Sequence, residues 1–257
     1  MLRTACILSC LSICITVTAQ KSIIDRIMLE EPLEISNNSQ EFDFFDFSNI
    51  WMQTLNTNIV GIIGEDHTRI KIKLTAIHKV GNHHNYQVEG KSSVHGNICS
   101  FNGTISIKEF RILELMHYGV DDERKNEGIK RQGLLIADYL FEENLEDKHS
   151  GIFEGKLYSK FYINGSNEAK YDDIQLSADG YFNNAYIGTW KSYTSGKSKL
   201  CTWGDFRVPT CNEDFDIGTG EFSPSEKYYS KGWETYSKAW LENDSKAKDI
   251  ELENWWK

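Results

Sequence analysis

The feature that most constrains the fold of this chain is a five-residue pattern that recurs along it. Phe101-Asn102-Gly103-Thr104-Ile105 returns as Phe153-Glu154-Gly155-Lys156-Leu157, and a looser copy ends in Tyr186-Ile187-Gly188-Thr189-Trp190. Alternate residues of a β-strand point to the same face, so the aromatic residue, the glycine and the apolar residue of each copy lie together. Glycine weakens a strand and is typical of places where a sheet bends. The repeat therefore indicates a strongly curved antiparallel sheet.

Strand-like patterns continue from residue 57 to about residue 193. Apolar and basic residues alternate through 69–74, which predicts one buried face and one solvated basic face. Roughly eight such segments, separated by polar loops, predict an up-and-down antiparallel meander that forms a full or partial barrel. The predicted fold class is all-β with one C-terminal α-helix.

The C-terminal helix is predicted from a start signal and an aromatic stripe. In Ser223-Pro224-Ser225-Glu226, the serine at 223 can cap the helix, proline suits its first position and Glu226 completes a capping box. The residues that follow at spacings of four, three and four form one stripe: Tyr229, Trp233, Tyr236 and Trp240. Such a stripe either binds a sugar or a partner protein, or packs onto the barrel.

These patterns divide the chain into four parts. We expect a signal peptide over 1–19, an N-terminal extension over 20–56, a β-meander barrel over 57–209, and a loop, an aromatic helix and a charged tail over 210–257. Within the extension, the run from Phe42 to Phe47 alternates only partly and is interpreted as an edge strand or an extended arm.

The first residues predict secretion. Arg3 precedes an apolar run from Ala5 to Val17, and Val17-Thr18-Ala19 supplies small residues for cleavage after Ala19. The alternative is a lipid anchor on Cys10 or Cys14. Because no second long apolar stretch follows, we expect a secreted or periplasmic protein without a transmembrane segment.

The overall charge argues against two classes of partner. The chain has a formal net charge of −10 and no basic cluster. An acidic protein of this kind is poorly suited to bind nucleic acid or anionic lipid.

Three cysteines remain after the predicted cleavage site. Cys201 and Cys211 are close in the chain, and outside the cytosol they are predicted to form a disulfide. Cys99 shares strand parity with Phe101 and is interpreted as a buried free thiol. The alternative is three unpaired thiols.

No motif for a nucleophile elbow, a phosphate loop or a dinucleotide is present, and no cofactor is predicted. Asp214, Asp216 and Glu221 flank two glycines and superficially resemble a calcium loop, but the spacing is not that of an EF-hand. The alternative is a polar loop that stabilises its own turn. His83-His84 is interpreted as a solvated turn rather than a metal site.

The meander together with Gly188-Thr189-Trp190 resembles the calycin barrels, the group of avidins and lipocalins. In those families a Gly-x-Trp or Gly-Thr-Trp element lies on the first strand, whereas here it falls on what reads as the last strand of the meander. The resemblance implies a barrel-like sheet and transfers no ligand-binding residue. The segment from Trp190 to Pro224 also resembles a pattern of uncharacterised secreted bacterial proteins, without functional content.

Three functional hypotheses follow. The first is a noncatalytic secreted protein that binds a small ligand or glycan in the barrel cavity or at a barrel end. The second is a cell-envelope interaction or structural protein with a filled barrel, and the third is a hydrolase with an unrecognised carboxylate site. The candidate ligand-binding residues are Trp190, Trp203, Tyr229, Trp233, Tyr236 and Trp240.

Overall fold

The structure is a computed structural model, which describes residues 33–35, 39–81, 83–212 and 214–257. The predicted signal peptide, its cleavage site and the alternative lipid anchor lie outside the described residues. None of the helices in the described part is long and apolar enough to cross a membrane.

Eight antiparallel strands close into a ring in chain order, which confirms the predicted all-β meander and makes the barrel complete. β5 pairs with both β4 and β6, and β10 pairs back onto β2, with Cys201 opposite Ile63. Two short strands lie beside the ring: β1 pairs with β5, and β8 pairs with β7. The strands are β1 (Leu33–Ile35), β2 (Ile59–Ile63), β3 (Thr68–Val80), β4 (Asn85–Val94), β5 (Asn97–Leu113), β6 (Arg131–Glu143), β7 (Gly151–Ile163), β8 (Ala169–Tyr171), β9 (Asn183–Ser192) and β10 (Ser198–Asp205).

The repeated glycines lie where neighbouring strands and inward aromatic rings approach closely. A Cβ atom added to Gly188 would lie 2.7 Å from the hydroxyl of Tyr139, and one added to Gly103 would lie 2.7 Å from the Cα of Phe141. Any side chain at these positions would force the strands apart, so the glycines permit the curvature that the repeat predicts.

The prediction that Gly188-Thr189-Trp190 lies on the last strand of the meander was wrong by one strand. These residues lie on β9, and β10 follows and closes the ring. The predicted strand pattern ends at about residue 193 and therefore omits β10.

Aromatic side chains fill the interior of the barrel. The rings of Trp203 and Tyr186 stack at a centroid distance of 4.6 Å, and Tyr139 meets Trp203 edge-on at 5.4 Å. Phe101 stacks on Phe141 at 5.0 Å in the next layer. An eight-stranded barrel is just wide enough for side chains to fill, and these rings are at contact distance.

The segment 42–51 is a plug that closes one end of the barrel, and not the edge strand or extended arm that the sequence predicts for the run from Phe42 to Phe47. It begins where the 3₁₀ turn Ser39–Phe42 ends and finishes with a second 3₁₀ turn, Ser48–Trp51. Phe42 stacks on Phe110 at 4.3 Å, and the indole Nε1 of Trp51 donates to Ser159 Oγ at 3.0 Å. This end of the barrel is called the plug end below.

The C-terminal segment covers the outer face of β2 and β3. The predicted helix from Ser223 is divided into a 3₁₀ turn, Glu226–Lys231, and two α-helices, α1 (Glu234–Trp240) and α2 (Ser245–Leu252). Gly232 lies between the turn and α1 with a left-handed φ of 97°, which ends the turn. The capping box does not form, because Ser225 precedes the first turn without a side-chain cap.

The solvated basic face predicted for β3 was also wrong. Arg69 is 8 % exposed and forms two hydrogen bonds of 2.7 Å with the carboxylate of Glu251 on α2. Its guanidinium lies 5.1 Å from the ring centroid of Trp233. The C-terminal segment therefore buries residues that strand alternation alone assigns to solvent.

Candidate ligand-binding cleft

A cleft of about 370 Å³ lies at the plug end, between the mouth of the barrel and the C-terminal segment. Its walls come from the residues that precede β2 and β9, from the loop that follows β10, and from the first C-terminal helix, α1. Five of the lining residues are aromatic: Tyr181, Phe206, Phe222, Tyr236 and Trp240.

A left-handed residue turns the chain from β10 into the cleft. Phe206 has a φ of 68°, which is uncommon for a residue other than glycine. Its N–H donates to the carbonyl of Asn58 at 2.7 Å, and its ring meets that of Tyr181 edge-on at 5.3 Å. The loop before β9 is tied to the opposite wall, since Gly180 N–H donates to the carbonyl of Gly220 at 3.0 Å.

Helix α1 supplies the other wall. Tyr236 and Trp240 are four residues apart and therefore share one helix face. Tyr236 packs edge-on against Phe222 at 5.4 Å, and the guanidinium of Arg69 lies 5.2 Å from its ring centroid. Trp240 remains 37 % exposed, which leaves its indole open to a ligand.

The loop that superficially resembles a calcium site holds the guanidinium of Arg207. Arg207 donates to Asp216 Oδ2 at 2.5 Å, and to the carbonyls of Gly220 at 2.6 Å and Gly218 at 3.1 Å. Asp214 pairs with Lys227 at 2.7 Å, and Glu221 lines the cleft. Asp214 and Asp216 are thus held by different cations, and the described residues contain no group of three metal-ligating side chains.

The structure places the six candidate aromatic residues in different surroundings, and only Tyr236 and Trp240 of that set line the cleft. Trp203 lies in the barrel core and Trp233 is fully buried beneath the helices. Trp190 donates its Nε1 to Glu143 at 2.9 Å, near the end opposite the plug. The hydroxyl of Tyr229 is 2.5 Å from Ser237 Oγ.

The predicted disulfide is absent: Cys201 and Cys211 are free thiols. Strand alternation points Cys201 into the barrel core, whereas Cys211 packs in the cluster outside β2. The sheet separates the two side chains, so closeness in sequence does not bring them together. Cys99 is buried and free, as predicted.

Two buried carboxylates lie far from each other. Asp205, at the plug end, accepts hydrogen bonds from Thr54 and from Asn184, and burial raises its pKa to about 7. Burial also raises the pKa of Glu143, which lies at the last residue of β6 and so at the other end of the barrel. This pair cannot flank one substrate bond as a glycosidase requires.

A second depression, of about 500 Å³, lies beside the plug. Two of its lining residues are aromatic, Phe44 and Phe45, and its Arg131 is paired with Glu41 at 2.8 Å. The cleft at α1 offers more aromatic surface and is the better candidate.

Comparison of the chain with protein-family models, with curated proteins and with solved structures finds no match.

Sequence reasoning missed three of the five rings in the cleft: Tyr181, Phe206 and Phe222. They come from loops far apart in the chain, and only the tertiary fold brings them together. One signal was present, since Gly180 and Gly220 mark the segments of Tyr181 and Phe222 as loops, and binding residues are commonly found on loops.

Proposed function

We propose that the protein is a secreted, noncatalytic binding protein that takes a small ligand with a flat apolar face, such as a sugar ring, in the cleft beside α1. The observation that carries the proposal is the convergence of five aromatic rings around a concave space of about 370 Å³. Ligand sites are typically concave, largely apolar and of this order of volume.

Because side chains fill the barrel interior, we place the proposed ligand at the barrel end. Trp203, Tyr186 and Tyr139 occupy the space that a ligand would need inside the ring, and each is at most 3 % exposed. We also propose that the protein is related to the calycin barrels. This relation is supported by the closed eight-stranded meander, which is the architecture of those barrels.

Secretion also belongs to the proposal and depends on the sequence of residues 1–19. It is compatible with a ligand met outside the cell, such as a glycan.

The binding hypothesis is tested with a neutral aromatic dye, N-phenyl-1-naphthylamine, titrated into the purified chain. We expect the dye fluorescence to rise on binding, and the affinity to fall about tenfold or more in Trp240→Ala, because the indole supplies open stacking surface. Soluble oligosaccharides that enter the cleft should displace the dye.

Trp256→Ala is the matched control. Trp256 is a partly exposed tryptophan of the same segment, but it lies over Lys73, away from the cleft. Equal dye affinity in Trp240→Ala and in the unmodified chain, or no dye binding at all, would refute the proposed site.

The second hypothesis, an interaction protein with a filled barrel, is favoured by the apolar rim of the same cleft. Leu176 is 49 % exposed and Leu241 is 45 % exposed. If the dye binds but no soluble sugar displaces it, the rim is better explained as a docking surface for protein.

A further inference from the structure

The cleft carries an unbalanced negative charge. Its two ionised lining residues are Arg207 and Glu221. Arg207 and Asp216 form an ion pair in which both side chains are less than 10 % exposed, so the guanidinium charge is neutralised inside the loop. Glu221 is exposed, and no ion pair or hydrogen bond to its carboxylate is found among the described residues.

A second carboxylate lies at the same rim. A Cβ atom added to Gly220 would lie 3.1 Å from Asp179 Oδ1, which places Asp179 next to the loop that presents Glu221. Asp179 is exposed and also has no ion pair within the described ranges. The rim thus offers two acidic groups beside an aromatic surface, in a chain whose formal net charge is −10.

The aromatic wall also favours a positively charged ligand. The face of an aromatic ring is electronegative and attracts cations. Tyr236 already holds one cation, since the guanidinium of Arg69 lies 5.2 Å from its ring centroid. Trp240, Tyr181 and Phe206 present further aromatic surface in the cleft.

We infer that the ligand of this cleft is an amine-bearing sugar, with its ammonium group bound by Glu221 and its ring stacked on Trp240. The inference rests on the proposed function and adds the chemical class of the ligand. A bare cation would not cover the aromatic surface, and a neutral sugar would gain no charge attraction from the rim carboxylates. An anionic ligand would be repelled by Asp179 and Glu221.

The test compares two trisaccharides by isothermal titration calorimetry on the full mature chain: the glucosamine trimer, which carries amines, and the N-acetylglucosamine trimer, which is neutral. At about pH 6 a carboxylate is ionised and an amine is protonated. We expect the amine-bearing trimer to bind about tenfold more tightly, with a preference that shrinks as salt is added.

Glu221→Gln should bring the two trimers to within about twofold of each other, because it removes the charge and keeps the size of the side chain. Glu226→Gln is the matched control, since Glu226 is an exposed acid of the neighbouring 3₁₀ turn outside the cleft lining. It should keep the full preference.

Equal affinity for both trimers, a preference for the neutral trimer, or an unchanged preference in Glu221→Gln would overturn the inference. Dye binding that depends on Trp240, with no binding of the amine-bearing trimer, would overturn the inference alone and leave the proposed function standing. Failure of both the dye and the trimers would overturn both.

Discussion

At the scale of single residues, Asp205 connects four elements through one carboxylate oxygen. Its Oδ2 accepts hydrogen bonds from Thr54 beyond the plug at 2.7 Å, from Tyr171 on β8 at 3.0 Å and from Asn184 on β9 at 2.8 Å. Burial nevertheless outweighs these donors and raises the pKa of Asp205 from 3.8 to about 7. The folded protein therefore stabilises the protonated form of Asp205 relative to the ionised form.

This raised pKa makes stability depend on pH in a defined direction. The folded protein holds the Asp205 proton where the unfolded chain has lost it, so the stabilisation is complete below about pH 4 and is lost as the pH rises through 7. Asp205→Asn removes the titration and keeps an oxygen acceptor. From pH 5 to pH 8 the variant should gain on the order of 2 kcal/mol of unfolding free energy relative to the unmodified chain.

Urea unfolding at a series of pH values measures this difference. Glu142→Gln, at an exposed position of β6, serves as the control and should follow the pH profile of the unmodified chain. An Asp205→Asn profile parallel to that of the unmodified chain would show that Asp205 is ionised at no cost in the folded protein.

At the same scale, sequence predicted which residues are buried better than it predicted what they contact. The parity of Cys99 with Phe101 correctly assigns its thiol to the buried side. The pairing of Cys201 with Cys211 failed, because the proximity argument ignored the sheet that separates the two thiols. The alternation of residues along a strand determines which face of the sheet a side chain lies on. Which side chain it contacts there depends on residues that are distant in the chain.

At the scale of elements, the C-terminal segment is joined to β3 by a buried ion pair. Burial opposes the charge of Glu251, but Arg69 and Lys71 outweigh it and lower the pKa of Glu251 to about 2. Lys71 Nζ lies 3.4 Å from Glu251, and Thr235 Oγ1 donates to the same carboxylate at 2.7 Å. Helix α2 is therefore attached to β3 by an ion pair as well as by apolar contact.

Removing the charge of Glu251 should loosen this segment. Glu251→Gln leaves Arg69 buried without a counter-ion, and we expect a loss of about 3 kcal/mol in the free energy of unfolding. Hydrogen exchange should show faster exchange of α2 amides while those of β6 and β7 stay protected. Glu253→Gln, an exposed acid beside α2, is the control, and a Glu251→Gln variant within about 0.5 kcal/mol of it would contradict the expectation.

The aromatic spacing of four, three and four correctly predicted helical structure in this segment. It did not predict that the helical structure is interrupted. Gly232 takes a left-handed conformation, which divides the stripe between a 3₁₀ turn and α1. The predicted start at Ser223 failed because Ser223 N–H donates to Asp216 Oδ1 in the loop that holds Arg207. Tertiary contacts therefore overrode a strong local start signal.

At the scale of the whole molecule, the plug and the barrel share one core. The backbone N–H of Phe47 donates to the hydroxyl of Tyr86 on β4 at 3.1 Å, and Trp51 meets the ring of Tyr86 edge-on at 4.8 Å. The sequence showed the aromatic content of this segment but not its role, because nothing local distinguishes an edge strand from a segment that fills a barrel mouth.

A shared core predicts that damage to the plug destabilises the whole barrel. Trp51→Ala should lower the free energy of unfolding by about 3–5 kcal/mol, with one cooperative transition by fluorescence and by circular dichroism. Phe44→Ala is the control from the same segment, since Phe44 is 94 % exposed and its loss should change stability by less than about 0.5 kcal/mol. Two separate transitions would show instead that the plug is an independent unit.

The closure of the ring has a consequence for how the chain reaches its native state. The pairing that closes the ring joins β2 to β10, with Ile63 opposite Cys201. These two strands are the first and the last of the ring in the sequence, so one edge of β2 stays unpaired until β10 reaches it. Contacts between such remote segments slow folding, because a long loop must be ordered before the pairing stabilises it. Until this pairing forms, the free edges of β2 and β10 are templates for strands of other molecules. Refolding should therefore be slow, and its yield should fall as the protein concentration rises.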